Sequence, residues 1–181
     1  TLTNHRKWST LVHPMDVDET NNAASIQNIT KVFNETEKFP EMDAYLVSKV
    51  FTDWKTASGT PDTDELTVDN ILSKFDAWME AMDEANVPTT GRLLYLTPAT
   101  STLLKQAVEK YRNIQNGDSS IKRAVENVDN VQIEKVPSAL MKTVYDFTEG
   151  WKAGVSAKQI HALLIHPSAV ITPEKYVFAQ L

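Results

Sequence analysis

An α+β fold is what this sequence predicts, on three observations. Long stretches carry apolar residues at helical spacing, two short apolar runs bounded by glycine or proline suit strands, and a third run alternates apolar with polar residues. With 41% apolar residues, 23% charged residues and only 5 glycines in 181, the chain has the composition of a folded domain, with length for one core or for one compact domain and an arm.

The helices come first. Ser25 can cap SIQNITKVFNE, where Ile26, Ile29, Val32 and Phe33 recur at helical spacing. A break is expected at Phe39. Pro40 then suits a first helical position, and Met42, Tyr45, Leu46, Val50 and Trp54 form one stripe down to about Ala57, so that the two pieces make one long or kinked helical element. SGTPDTDE reads as a connector and as the main boundary, because Gly59, Pro61 and its acids supply turn chemistry and nothing to bury. Thr67 can cap the next helix, TVDNILSKFDAWMEAMDEAN, whose face is Val68, Ile71, Leu72, Phe75, Trp78, Met79 and Met82. On that face Trp78→Ala should cost about 3–5 kcal/mol.

A short strand is expected over 92 to 97, where Leu93, Leu94, Tyr95 and Leu96 sit between Gly91 and Pro98. Thr97 then caps a helix that starts at Pro98, carries Leu103, Leu104, Ala107, Val108 and Tyr111, and ends before an Asn116-Gly117-Asp118 turn. VQIEKVP alternates as a strand with Val131, Ile133 and Val136. A polar and aromatic stretch, 138 to 157, leads into QIHALLIHPSAVI. LLYLTPAT and ALLIHPSA share a plan: apolar residues, one polar residue, proline, then small residues. Two such units suggest neighbouring strands that leave a sheet at the same edge, where open α/β sheets bind ligands.

That edge raises an enzyme or small-ligand reading that uses the rim after Thr97 and His166, but the residues lend it little chemistry. Neither GxGxxG nor GxxxxGK[ST] occurs, and GxSxG and HExxH are absent too. His161 and His166 stand five apart, on opposite sides of a strand or about 140° apart on a helix, so each reads as a structural histidine. Asp16, Asp18 and Glu19 resemble the start of a calcium loop, but Asn21 stands at its sixth position and Gln27 at its twelfth. Asp62, Asp64 and Glu65 fail likewise at Ser73. Turn and cap roles account for both acidic runs. No catalytic, cofactor-binding or metal-binding residue is therefore assigned, and no cofactor is expected.

A net charge of −6, from 18 basic and 24 acidic residues, gives no general attraction to phosphate backbones. The basic residues are scattered, the densest groups being His5, Arg6 and Lys7, and then Lys122 and Arg123. No sequence-specific nucleic-acid binding is expected, and no membrane association, since no apolar run approaches the length of a span. Cysteine is absent, which excludes disulfides and thiolate sites. Trp54 and Trp78 lie on helical stripes as core residues. Trp8 and Trp151 lie in irregular stretches, where an aromatic can pack on its own domain or anchor an arm or loop to another surface.

Taken in order, WSTLVHPMDVDETNNAASIQNITKVFNETEKFPEMDAY, DEANVPTTGRLLYLTPATSTLL, VQIEKVPS and IHALLIHPSAVITPEKY resemble the major capsid proteins of tailed bacteriophages with the Hong Kong 97 fold, those from phages and prophages of Gram-positive bacteria above all. The resemblance covers most of residues 8 to 176, and NVPTTGRLLYLTP and LLIHPSAVI are its most specific parts.

This resemblance implies a long spine helix in a peripheral domain and an axial domain with a mixed central sheet flanked by helices. Residues 1–59 would hold the N-terminal segment and the spine helix, 60–166 the axial domain, and 167–181 a return strand toward the peripheral domain. It implies a structural subunit of an icosahedral phage head that forms pentamers and hexamers around packaged DNA. Its partners would be copies of itself, and the scaffold and portal of the same virion. Its place would be the virion capsid, after synthesis in the bacterial host cytoplasm. Because members carry a longer arm and an extended loop before the spine helix, the chain is expected to be a fragment.

Overall fold

A computed structural model of the chain describes residues 7–111, 125 and 127–172. The predicted Asn116-Gly117-Asp118 turn, the side chain of Tyr111, His5, Arg6, Lys122, Arg123 and the end of the return strand from Pro173 lie outside the described residues. Helix and sheet are both present, as the α+β reading requires. The chain divides into two compact units, residues 1–42 with 171–181, and residues 43–170.

In the first unit a short helix, α1 (Pro14–Glu19), has Pro14 in its first turn and is capped by His13, whose Nδ1 accepts from Met15 N at 3.3 Å. Asp16 sits in its first turn, where the helix dipole favours a carboxylate. Asn21 and Asn22, both at positive φ, turn the chain after it. Ser25 caps α2 (Ile26–Phe33) as the sequence indicates, its Oγ accepting from Asn28 N. Phe33 stacks on Trp8 with ring centroids 4.3 Å apart, so this irregular-segment tryptophan packs on its own unit. No residue of α2 is buried, and Val32 on its expected stripe is 50% exposed.

The expected break at Phe39 is absent. A π-helical turn, Asn34–Lys38, leads instead into α3 (Phe39–Thr56), with Phe39 N–H donating to Asn34 O, five residues back. Pro40 has no N–H and its ring crowds the carbonyl four residues earlier, and a widened turn just before it relieves that crowding. Along α3 the deepest residues are Ala44 and Ser48, while Met42 and Trp54 from the expected stripe are exposed. The stripe is thus rotated toward small residues, whose burial the apolar count does not register. Trp54 is not core: it lies against Gly59, where an added Cβ would come within 2.3 Å of the indole. Gly59 N donates to Trp54 O and Ser58 N to Lys55 O, closing the helix through a left-handed Ser58.

In the second unit α4 (Ile71–Glu84) starts later than expected. Asn70 rather than Thr67 is its cap residue, because residues 67–70 form a turn in which Thr67 N donates to Asn70 Oδ1. A four-stranded sheet follows, in the order β2 (Asn127–Val128), β3 (Val131–Lys135), β1 (Leu93–Leu96), β6 (Ala162–Ile165). β1 is parallel to β3, with Leu94 opposite Ile133, and antiparallel to β6, with Leu94 opposite Leu164. Between β1 and the rest comes α5 (Pro98–Tyr111), started by Pro98 and capped by Thr97, as expected.

α4 and α5 cover one face of this sheet. Ile71 and Phe75 of α4 and Leu104 and Ala107 of α5 bury against Leu94, Leu96 and Val131, with Trp78, Ile133, Ala162 and Leu164 half-buried around them. Residues 137–161 leave β3 and return as β6 on the other side of β1, folding on the way into the hairpin β4 (Tyr145–Asp146) and β5 (Lys152–Ala153). Tyr145 locks this excursion, its hydroxyl donating to Ala139 O at 2.6 Å and accepting from Lys142 N, with Phe147 and Trp151 packed beside it. Burial pushes that phenol above its ordinary pKa.

Because Phe75 is enclosed and Trp78 only half-buried, Phe75→Ala should cost about 3–5 kcal/mol and Trp78→Ala about 1–2 kcal/mol. Chemical denaturation of both variants checks the order, and a larger loss at Trp78 would contradict this core.

Candidate functional site

β1 lies inside the sheet, between β3 and β6, and its two ends are the places where a site would form. At its start, α4 closes with Val87 N donating to Met82 O and Asn86 held at φ 55, after which Pro88 turns the chain back toward the sheet. Arg92 completes this turn. Its side chain is fully buried, with Nε donating to Pro88 O at 2.9 Å and Nη2 to Val87 O at 2.6 Å. Nη2 also reaches Asp83 Oδ1 at 2.6 Å, and Nη1 lies 3.6 Å from Met79 Sδ. One planar guanidinium, carried by the residue just before β1, thereby joins α4 to the turn that follows it.

His166 seals the same end. Its Nδ1 accepts from Ser168 N and lies 2.6 Å from Ser168 Oγ, which places the ring proton on Nε2, 3.2 Å from Thr90 O. Gly91 has φ 85, a left-handed backbone that glycine adopts without strain, and its Cβ position would face this imidazole at 4.0 Å. His166 also caps a 3₁₀ turn, Pro167–Ala169, much as Thr97 caps α5. The repeated plan read from the sequence is therefore a repeated cap.

Its direction, however, is the reverse of the one expected. LLYL and ALLI are neighbours, but they run antiparallel, so Leu93 faces Ile165 and Leu96 faces Ala162. Thr97 lies beside His161, donating its N–H to His161 O, while His166 lies at the opposite end of the sheet. A common rim after Thr97 and His166 does not exist. A shared cap sequence encodes how a strand ends, not which way its neighbour points.

The Thr97 end does carry a cavity of about 360 Å³, lined by Thr63, Asp64, Glu65, Leu66, Ala99, Thr100, Leu103 and His161. Thr97 and Thr100 bond to each other through their hydroxyls at 2.9 Å. The connector over it is tied down by Lys74, which reaches Asp62 at 2.9 Å and also pairs with Asp64. Asp62 Oδ1 further accepts from Asp64 N, and this bond, with that from Lys74, holds the Asp62 carboxyl below its ordinary pKa. The bonds that Lys74 donates to Asp64 and Asp62 hold it above its own. Among the described residues no three His, Asp or Glu side chains converge as a metal site would require, and no helix is long and apolar enough to cross a membrane.

Arg92 is the residue that sequence reasoning passed over. A lone arginine opening an apolar strand, between glycine and leucine, is the signal that could have found it. Comparison with protein-family models, with curated proteins and with solved structures gives no match to this chain.

Two outcomes check these contacts. Arg92→Met should lose about 2–4 kcal/mol in chemical denaturation, because the Val87 and Pro88 carbonyls lose their donor, and Arg92→Lys should recover little of it, one ammonium being unable to span the fork. The Asp62–Lys74 tether has a defined pH window. Asp62, depressed when folded, contributes above its ordinary value of 3.8 and loses this as pH falls through the folded value; Lys74, raised when folded, contributes below 10.5 and loses this as pH rises through its own. The protection of amides across residues 60–66, taken relative to their intrinsic exchange rate at each pH, should fall at both extremes, and Lys74→Met should show the same reduced protection at neutral pH.

Proposed function

We propose that the chain is a structural subunit of an icosahedral phage or prophage head, built on a Hong Kong 97-like architecture and assembling as pentamers and hexamers around packaged DNA. The observation that carries this reading is what has become of the most distinctive stretch, NVPTTGRLLYLTPAT. Its one charged side chain is spent inside the frame, with Arg92 buried against two main-chain carbonyls and Asp83. Both of its prolines stand where elements join, Pro88 after α4 and Pro98 at the start of α5. A stretch used in this way makes a stiff tile.

Other features support the reading. A mixed four-stranded sheet with helices on one face suits the axial domain, assigned to 60–166, and the helical residues 26–56 suit the spine helix within 1–59. Residues 167–181 would return toward the peripheral domain. A subunit repeated many times gains stability by summing moderate contacts and needs no catalytic cleft. A charge of −6 suits a wall that must not clamp DNA. Partners are then further copies, with the scaffold and portal of the same virion, and the site of action is the virion capsid. Electron microscopy of the product of the complete gene should reveal closed particles; a protein that stays monomeric under every assembly condition would remove this reading.

The cavity beside Thr97 and His161 favours a second reading, a small-ligand-binding or enzymatic α/β domain that uses this one end of the sheet. It requires a thermal shift with some nucleotide, metal ion or sugar that His161→Ala abolishes. A screen without any shift eliminates it.

A further inference from the structure

Two of the four histidines stand directly before a proline, in His13-Pro14-Met15 and His166-Pro167-Ser168. They share one role. Each is extended, with ψ of 133 and 131, and caps the turn that starts at its proline by accepting from the main-chain N–H two residues on. The bond is 3.3 Å from Met15 N to His13 Nδ1 and 3.2 Å from Ser168 N to His166 Nδ1. Ser, Thr, Asn or Asp ordinarily fills a cap position, and its oxygen accepts throughout the range near neutral pH. An imidazole nitrogen accepts only while the ring is neutral, and histidine is the side chain that changes charge in that range.

His166 bridges two segments as well as capping one. The half-buried ring donates from Nε2 to Thr90 O at 3.2 Å, and its Nδ1 lies 2.6 Å from Ser168 Oγ. A proton added at Nδ1 leaves the bond to Thr90 intact and reverses the other side of the ring. Nδ1–H can then donate to Ser168 Oγ, but it faces the Ser168 N–H donor to donor, and the 3₁₀ turn Pro167–Ala169 loses its cap. Nearby charge does not offset this. The turn against the ring, Pro88 to Gly91, carries no ionisable side chain, β6 and Pro167–Ala169 carry none, and β1 carries only Tyr95. Of the charges beyond them, Arg92 and Asp83 pair with each other, and Glu84 at the end of α4 is exposed. The capped turn is also the exit from the second unit, because residues from Ile171 onward group with the first.

We propose that His166 is an acid-released cap on this exit. Neutral, it holds Pro167–Ala169 closed at the end of β6. Doubly protonated, it stays on Thr90 and lets the turn open, so that acid frees the last residues of the second unit while the end of the sheet remains sealed.

The test follows the whole chain by nuclear magnetic resonance from about pH 8 to about pH 5. The Ser168 amide signal should titrate together with the His166 ring. Protection of the Ser168 and Val170 amides, taken relative to intrinsic exchange, should fall about fivefold on the acid side, the factor expected for one lost cap. Overhauser contacts between the ring and Thr90 and Gly91 should persist throughout. His166→Asn, whose side-chain oxygen caps without titrating, should keep the protection at both ends of the range, and the unmodified protein decides alone if that variant does not fold. A Ser168 amide indifferent to the ring's titration, an acid loss that persists in His166→Asn, or ring contacts with Thr90 lost along with the cap would each overturn the inference.

Discussion

The passage from α4 into the sheet depends on one buried cation. A guanidinium removed from water needs donors matched by acceptors, and Arg92 meets that need with two carbonyls from the turn after α4 and a carboxylate from its last turn. Because those acceptors belong to the helix end and the turn, and the arginine to the residue before the strand, the angle at which α4 hands the chain to β1 is fixed by stereochemistry. The helix face that carries Ile71 and Phe75 is thereby laid over Leu94 and Leu96. Asp83 remains half in water, so the charge is balanced without the full cost of burying an ion pair.

The sheet's other connections are built from caps in place of charges. Thr97 and His166 each end a strand, accept from a main-chain N–H two or three residues on, and are followed by a proline that cannot extend the strand. These are short-range devices that need no partner far away in sequence. The ends of the sheet are therefore specified locally, while its order, β2-β3-β1-β6, is specified by which apolar faces can be buried together.

That division explains what could be read in advance. LLYL, VQIEKV and ALLI were legible as strands, and Ser25, Thr97 and Pro98 as helix starts, because each depends on its immediate neighbours. The apolar face of α4 was legible too, since Ile71 and Phe75 repeat at helical spacing. Strand direction was not, because an identical cap serves parallel and antiparallel neighbours. The buried side of α3 was missed because Ala44 and Ser48 are small, and depth there follows close approach and not side-chain size. One long or kinked helical element was expected here, but the break placed at Phe39 is absent, because a π turn relieves the crowding at Pro40 without ending the helix. As for a site, the cavity beside Thr97 brings the connector's Asp64 and Glu65 to His161, residues about a hundred positions apart whose meeting no spacing rule registers.

β1, which has a neighbour on each side, is the first of the four strands to be made. Both neighbours of β1 come from later in the chain, β3 after α5 and β2, and β6 after the excursion that follows β3. On the ribosome, Leu93 to Leu96 must therefore wait, apolar and unpaired, until two further segments have emerged. The last to arrive, β6, brings Ala162 and Leu164 against Leu96 and Leu94, so the interior of the sheet cannot close until the whole excursion has been made.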